Sequence, residues 1–200
     1  MKISYLELSN SIKNNNGLVL VLKALDKAIT YITVLFYLGL LVYAGFQIPV
    51  SGSTLLYRSI VIPGISFAFV SYYRKRTSSP RPYEVYGFQP ALDKDTVGKS
   101  FPSRHVFSIF MVGITFFQVS IPLGVLILVL GVALAIIRVV GGVHFIKDVV
   151  AGALIAIIIG VICFWVFVAF LDFLCYHFNR SILMENTYEE ECKKSYCRTI

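Results

Sequence analysis

Five stretches of this chain are apolar and long enough, or nearly so, to sit in hydrocarbon from end to end. They are Ala28–Phe46, about Thr54–Tyr73 (interrupted by Arg58 and Pro63), about His105–Val119, about Pro122–Val140 and about Val149–Cys175. A helix needs roughly 20 apolar residues to cross the bilayer core. Lipid offers the backbone no hydrogen-bond partners, so each such run must satisfy its own N–H and C=O groups as a helix. The expectation is therefore an all-α fold, a polytopic membrane helical bundle with about five transmembrane helices. Composition agrees: 57% of residues are AVILMFWYC and 14% are DEKR, whereas a soluble domain is about 25% charged. Disorder, a collagen-like repeat and a disulfide scaffold are excluded on the same grounds.

The runs imply three regions. Residues 1–27 hold charge, the polar run Asn14-Asn15-Asn16, and an apolar stretch Leu18–Leu22 that is too short for a signal-peptide core before Lys23, Asp26 and Lys27. They read as an interfacial amphipathic lead-in. Residues 28–178 form the transmembrane domain, and 179–200 a charged C-terminal tail. The net charge is +7, from 18 Lys+Arg against 11 Asp+Glu. This charge lies between apolar runs rather than as a stripe on a globule, so membrane lipids or a phosphate-bearing substrate are the expected partners, and nucleic acid is not. No obligate protein partner is evident. Cys163 and Cys175 read as packing residues. Cys192 and Cys197 have no histidine near them, so no zinc site is expected.

The connections differ sharply. Gln47–Ser53 and Ser120–Ile121 are short and uncharged, whereas Arg74–Arg104 is long and basic, and Gly141–Asp148 carries His144, Lys147 and Asp148. These two polar connections follow the second and fourth runs, so alternation across the bilayer puts them on one face. Basic residues there exceed those opposite, which under the positive-inside rule favours a cytoplasmic face. An outward-facing one would require the lead-in to cross or the N-terminus to lie outside, and both alternatives stay open.

Three segments on that face share a chemistry. In the third, Asp148 lies four residues after His144, one helical turn away, where a carboxylate can fix the tautomer of an imidazole and sharpen its free nitrogen as a nucleophile. Gly141-Gly142 lets backbone approach whatever His144 attacks, and the planar fork of Arg138 suits phosphate oxygens. In the first, Arg74 and Arg81 supply fixed positive charge, with Pro80 and Pro82 stiffening the chain. In the second, Pro102-Ser103-Arg104-His105 opens a helix, whose N-terminus attracts anions, and His105 can protonate a departing oxygen. Each feature alone has an ordinary reading. Basic residues flank membrane helices as anchors, and Arg58 and His177 are taken as just such bystanders. The conjunction points elsewhere: two of only three histidines, a carboxylate and four arginines meet at helix boundaries.

In these motifs the chain resembles the type 2 phosphatidic acid phosphatase (PAP2) superfamily, which includes bacterial lipid phosphatases. Its motifs are a Lys with Arg-Pro seven residues later, a Pro-Ser-Gly-His, and a Ser-Arg with His six and Asp ten residues after that Arg. Arg74 stands in the Lys place before Arg81-Pro82, Pro102-Ser103-Arg104-His105 differs at the glycine, and Ile137-Arg138 differs at the serine. The resemblance implies that His144 is the nucleophile forming a phosphohistidine and Asp148 its orienting partner. It implies that His105 is the general acid and then base, and that Arg74, Arg81, Ser103, Arg104 (through its backbone amide) and Arg138 hold the phosphate. No metal and no cofactor are implied. The implied activity is a metal-independent lipid phosphatase of the bacterial plasma membrane, acting on undecaprenyl pyrophosphate, phosphatidylglycerol phosphate or phosphatidate. A phosphotransferase with the same site and a catalytically silent phospholipid-binding protein are the alternatives. Arg104 is the largest departure: it could add a phosphate contact, reach a second phosphate, or crowd the site.

Overall fold

Asn15 opens the first helix: its side-chain oxygen accepts the backbone N–H of Leu18 at 3.2 Å, the usual N-cap arrangement. From there α1 runs without a break over Asn16–Phe46. No glycine or proline lies between Gly17 and Gly39, so nothing in the chain stops the helix at residue 28. The computed structural model describes residues 15–51, 53–92 and 97–166. A separate lead-in ending at residue 27 therefore coincides with no break in structure: residues 16–27 are the first turns of α1. Residues 1–14 and the tail 179–200 lie outside the described residues.

The remaining helices are α2 (Ile48–Ser51), α3 (Thr54–Thr77), α4 (Pro82–Tyr86), α5 (Arg104–Phe116), α6 (Ile121–Val140) and α7 (Ile146–Val161). Residues 162–166 form a π-helical turn, in which the Phe164 and Trp165 rings meet edge to face with centroids 6.0 Å apart. There is no strand among the described residues. Four runs are long and apolar enough to cross a membrane: Asn16–Phe46, Thr54–Tyr86, Ile121–Val140 and Ile146–Val166. The fifth expected span is different in kind. At 13 residues α5 is about 20 Å long, short of the ~30 Å hydrocarbon core. Ten of those residues are buried, because α5 packs against α1, α3, α6 and α7. It is the core of the bundle, and its neighbours turn Leu35, Ile65, Val129 and Ile136 outward to lipid.

One contact shows how the bundle tolerates a proline in α3. Pro63 has no N–H to give the carbonyl of Ser59, one turn earlier. That carbonyl accepts the Tyr37 hydroxyl of α1 at 2.7 Å instead. The freed acceptor thus becomes a tie between helices, as a buried carbonyl in lipid requires.

Candidate active site

Asp148 is placed by the start of α7. It sits in the first turn, and its Oδ2 accepts the N–H of Phe145 at 3.0 Å, while its own N–H donates to the Phe145 carbonyl at 3.0 Å. This resembles a capping box, with Phe145 as the cap. His144 precedes the helix rather than starting it, yet the spacing still brings the pair together: Nδ1 of His144 lies 3.6 Å from Asp148 Oδ2, longer than an ordinary hydrogen bond. Ser100 closes the gap. Its hydroxyl donates to Asp148 Oδ2 and lies 3.4 Å from His144 Nδ1. All three side chains are buried. Burial pushes the His144 imidazole down from 6.5 to about 4; the Asp148 carboxylate opposes this, and the charges of Arg81 and Arg138 add to it. The ring is therefore neutral at pH 7.

The arginines are held by carbonyls as much as by charge. Arg81, only 1% exposed, donates through Nε to the Gly98 carbonyl at 3.0 Å and through Nη1 to the Val143 carbonyl at 3.0 Å. Its Nη2 reaches the Lys99 carbonyl at 3.5 Å, and Arg74 Nη2 donates to that same oxygen. Lys99 can present it because it and Gly98 are left-handed, at φ 56° and 66°. Glu84 braces the turn by accepting the N–H groups of Gly98 at 2.7 Å and Arg81 at 3.2 Å. Val143, next to His144, is thereby tied to the arginine of the first motif.

Ser103 caps α5, and its N–H donates to the Asp148 carbonyl at 2.8 Å. The approach of α5 to α7 depends on Gly152: a Cβ there would stand 2.6 Å from the Ser103 carbonyl oxygen. The Ser103 hydroxyl is buried and has no partner among the described residues. Gly141 and Gly142 serve a different neighbour from the expected one. The Gly141 carbonyl accepts the N–H of Ala91 at 3.1 Å, and Gly142 (φ 76°) lies where a Cβ would meet the Phe88 ring. The pair seats the loop after α4 rather than opening the backbone to a ligand.

A cavity of about 320 Å³ brings His105 and His144 together with Arg74, Arg81, Arg104, Lys75, Lys99 and Ser71. No carboxylate is among those lining residues, so it is built for an anion. Arg104 and His105 also line a second, apolar cavity of about 230 Å³ with Val34, Phe67 and Leu134. A third, of about 270 Å³, continues it past Phe67 to Tyr37, Pro63 and Gly64. At the junction the Arg104 guanidinium lies over the Phe67 ring, 5.4 Å from its centroid. Of the expected phosphate ligands, Arg74, Arg81 and Arg104 line the cationic cavity, Ser103 does not, and Arg138 is turned elsewhere. It is not among the described residues lining the cationic cavity, and its Nη2 donates to Asp26 Oδ2 of α1 at 3.0 Å.

Sequence reasoning missed Ser100, Lys99, Glu84 and Asp26. Ser100 and Lys99 follow Gly98 in a segment with no hydropathy pattern. Only their closeness to the Pro-Ser-Arg-His motif could have marked them. Asp26 sits between Lys23 and Lys27, and that charged cluster hides its pairing with a residue 112 positions away.

The chain is similar over 86 residues, at 35% identity, to the bacitracin transport permease protein BcrC of Bacillus licheniformis; the match spans 42% of each chain. Among solved structures it is similar to LpxE of Aquifex aeolicus, with a TM-score of 0.56 and 22% identity over 80% of this chain and 93% of that one. A PAP2-type phosphatidylglycerolphosphate phosphatase of Bacillus subtilis gives a TM-score of 0.47 and 20% identity, over 80% and 90% of the two chains. With four helices long and apolar enough to cross a membrane, the protein is an integral membrane protein. Residues 54–172, which contain all three motifs, match the model of the PAP2 superfamily, and the chain belongs to that family.

Proposed function

We propose that this protein is a membrane phosphatase that hydrolyses a lipid phosphate or lipid diphosphate through a phosphohistidine. The observation that carries the reading is the pairing of His105 and His144 in one cationic cavity that shares its wall with an apolar one. A phosphate fits the first and the start of a hydrocarbon chain fits the second. His144 Nδ1 faces Ser100 and Asp148, which leaves Nε2 to attack phosphorus. The new P–N bond forms as the bond to the leaving oxygen breaks, and His105 gives that oxygen its proton. Water then attacks, His105 takes a proton from that water as the new P–O bond forms, and the P–N bond breaks to release inorganic phosphate. The reaction is mostly positioning and charge neutralisation. In this reading the guanidinium groups of Arg74, Arg81 and Arg104 neutralise the transferring group, with Ser103 beside them, so no metal is called for.

The substrate candidates are lipids of the undecaprenyl pyrophosphate, phosphatidylglycerol phosphate and phosphatidate types. Phosphate release from each by the purified protein is the test. His144→Ala should abolish turnover. His105→Ala should lose about 10²–10⁴-fold, the usual share of general acid catalysis, and lose less with a nitrophenolate leaving group. Unchanged turnover in His144→Ala would end the proposal, and loss of activity in EDTA would replace it with a metal enzyme. Labelled phosphate passing to an added acceptor rather than to water would make the protein a phosphotransferase. Lipid phosphate bound but never released would make it a silent binder.

A further inference from the structure

Asp26 and Arg138 are 112 positions apart, yet they form a part-buried ion pair with Arg138 Nη2 3.0 Å from Asp26 Oδ2. Asp26 belongs to α1, outside the family-matched segment 54–172; Arg138 is the arginine of the third motif. The pair is made through one atom of each. Arg138 Nε and Asp26 Oδ1 are both buried and have no partner among the described residues. A guanidinium and a carboxylate that satisfied each other would meet through two parallel bonds, so this pair is incomplete on both sides.

Its location gives the incompleteness a use. The Arg138 carbonyl accepts the N–H groups of Val143 and His144, each at 3.2 Å. The Arg138 backbone is thus joined to the His144 backbone, while its guanidinium rests on α1 instead of lining the cationic cavity. The carboxylate opposes one cation beside the site, and among the described residues a single side-chain hydrogen bond holds the Arg138 guanidinium on α1.

We propose that Asp26 is a positioning residue that holds Arg138 back from the anion site, weakening the hold on inorganic phosphate so that product leaves. This rests on the phosphatase reading. In the empty site Arg138 bonds Asp26; an arriving phosphate competes with the carboxylate for the same guanidinium, and on release Asp26 takes it back. No covalent bond changes. The element that supplies the competitor is the N-terminal part of α1, whose turns extend past Ala28 far enough to place Asp26 against α6.

The experiment measures binding of inorganic phosphate and of orthovanadate to the full chain in detergent, by titration calorimetry. Asp26→Asn should bind both about tenfold more tightly, about 1.4 kcal/mol, with lower KM and lower kcat if release limits turnover. A folding defect only weakens binding, so tighter binding has no structural explanation. In an Arg138→Gln background the same substitution should change nothing, because its effect passes through Arg138. Asp26→Glu keeps the charge and should bind phosphate as the parent does. Equal or weaker binding in a folded Asp26→Asn protein overturns the proposal, as does tighter binding by Asp26→Glu. If the unsubstituted protein bound neither anion, the anion site itself would be refuted, and this proposal with it.

Discussion

The charge state of one imidazole decides whether the proposed attack can begin. An ordinary histidine is about 3% neutral at pH 5, but one with a pKa near 4 is about nine-tenths neutral there. His144 is of the second kind because burial outweighs the neighbouring carboxylate. The chain has three histidines, so ring resonances can be assigned by comparison with His144→Ala. The His144 ring should show no titration between pH 7 and 5, and a midpoint at 6 or above would contradict its burial. Stability moves in the same window. Between about 4 and 6.5 the unfolded chain binds the proton that the folded site refuses, so this contribution falls as pH falls. The i,i+4 pair was legible from spacing alone, because covalent geometry near a helix start brings such residues together. Ser100 was not legible. Its role arises from two left-handed residues, Gly98 and Lys99, that turn a loop under His144, and such a path leaves no periodic trace.

At the scale of elements, four of the five expected apolar helices are long runs whose composition shows their purpose. α5 is the shorter fifth apolar helix, and hydropathy does not distinguish a helix buried in protein from one buried in lipid. What separates them is length and close packing on all sides. That packing is concentrated at Gly152, where α7 meets the N-terminus of α5 backbone to backbone. Gly152→Ala should cost about 1–3 kcal/mol, the usual range for overpacking. It should also cut kcat by more than tenfold, because the Ser103 carbonyl it displaces belongs to the turn that begins the His105 helix. Gly131→Ala is the control. Its Cβ would come within 2.8 Å of a Phe110 ring carbon in the contact of α6 with α5, and neither residue lines the cationic cavity. Thermal melts should show both variants destabilised, and turnover at a permissive temperature should fall only in the first. Equal activity in the two would mean that the position of α5 does not govern the site.

Taken whole, the molecule sets a cationic cavity above an apolar crevice that descends between α1 and α3 over α5. The three motifs made the polar half readable, since their residues fall in 74–148. The apolar half was unreadable, because it is shaped by gaps between helices and not by residue type: Val34, Phe67 and Met111 look like any lipid-facing or core residue until the helices are assembled. Gly64 tests whether the crevice receives the substrate's hydrocarbon. It lines the deeper cavity, and a Cβ built on it meets nothing within 4 Å, so the side chain of Gly64→Phe can leave the helix without forcing the backbone. A ring there should leave hydrolysis of a water-soluble aryl phosphate within about twofold of the parent. It should lower kcat/KM for a long-chain lipid phosphate at least tenfold, a loss of about 1.4 kcal/mol. The ratio of the two rates, measured on one preparation, removes any common effect on folding. Should both substrates be slowed alike, the ring would be acting through the bundle. Should neither be slowed, the lipid chain would lie on another face of the protein, and only the phosphate would need the cavity above.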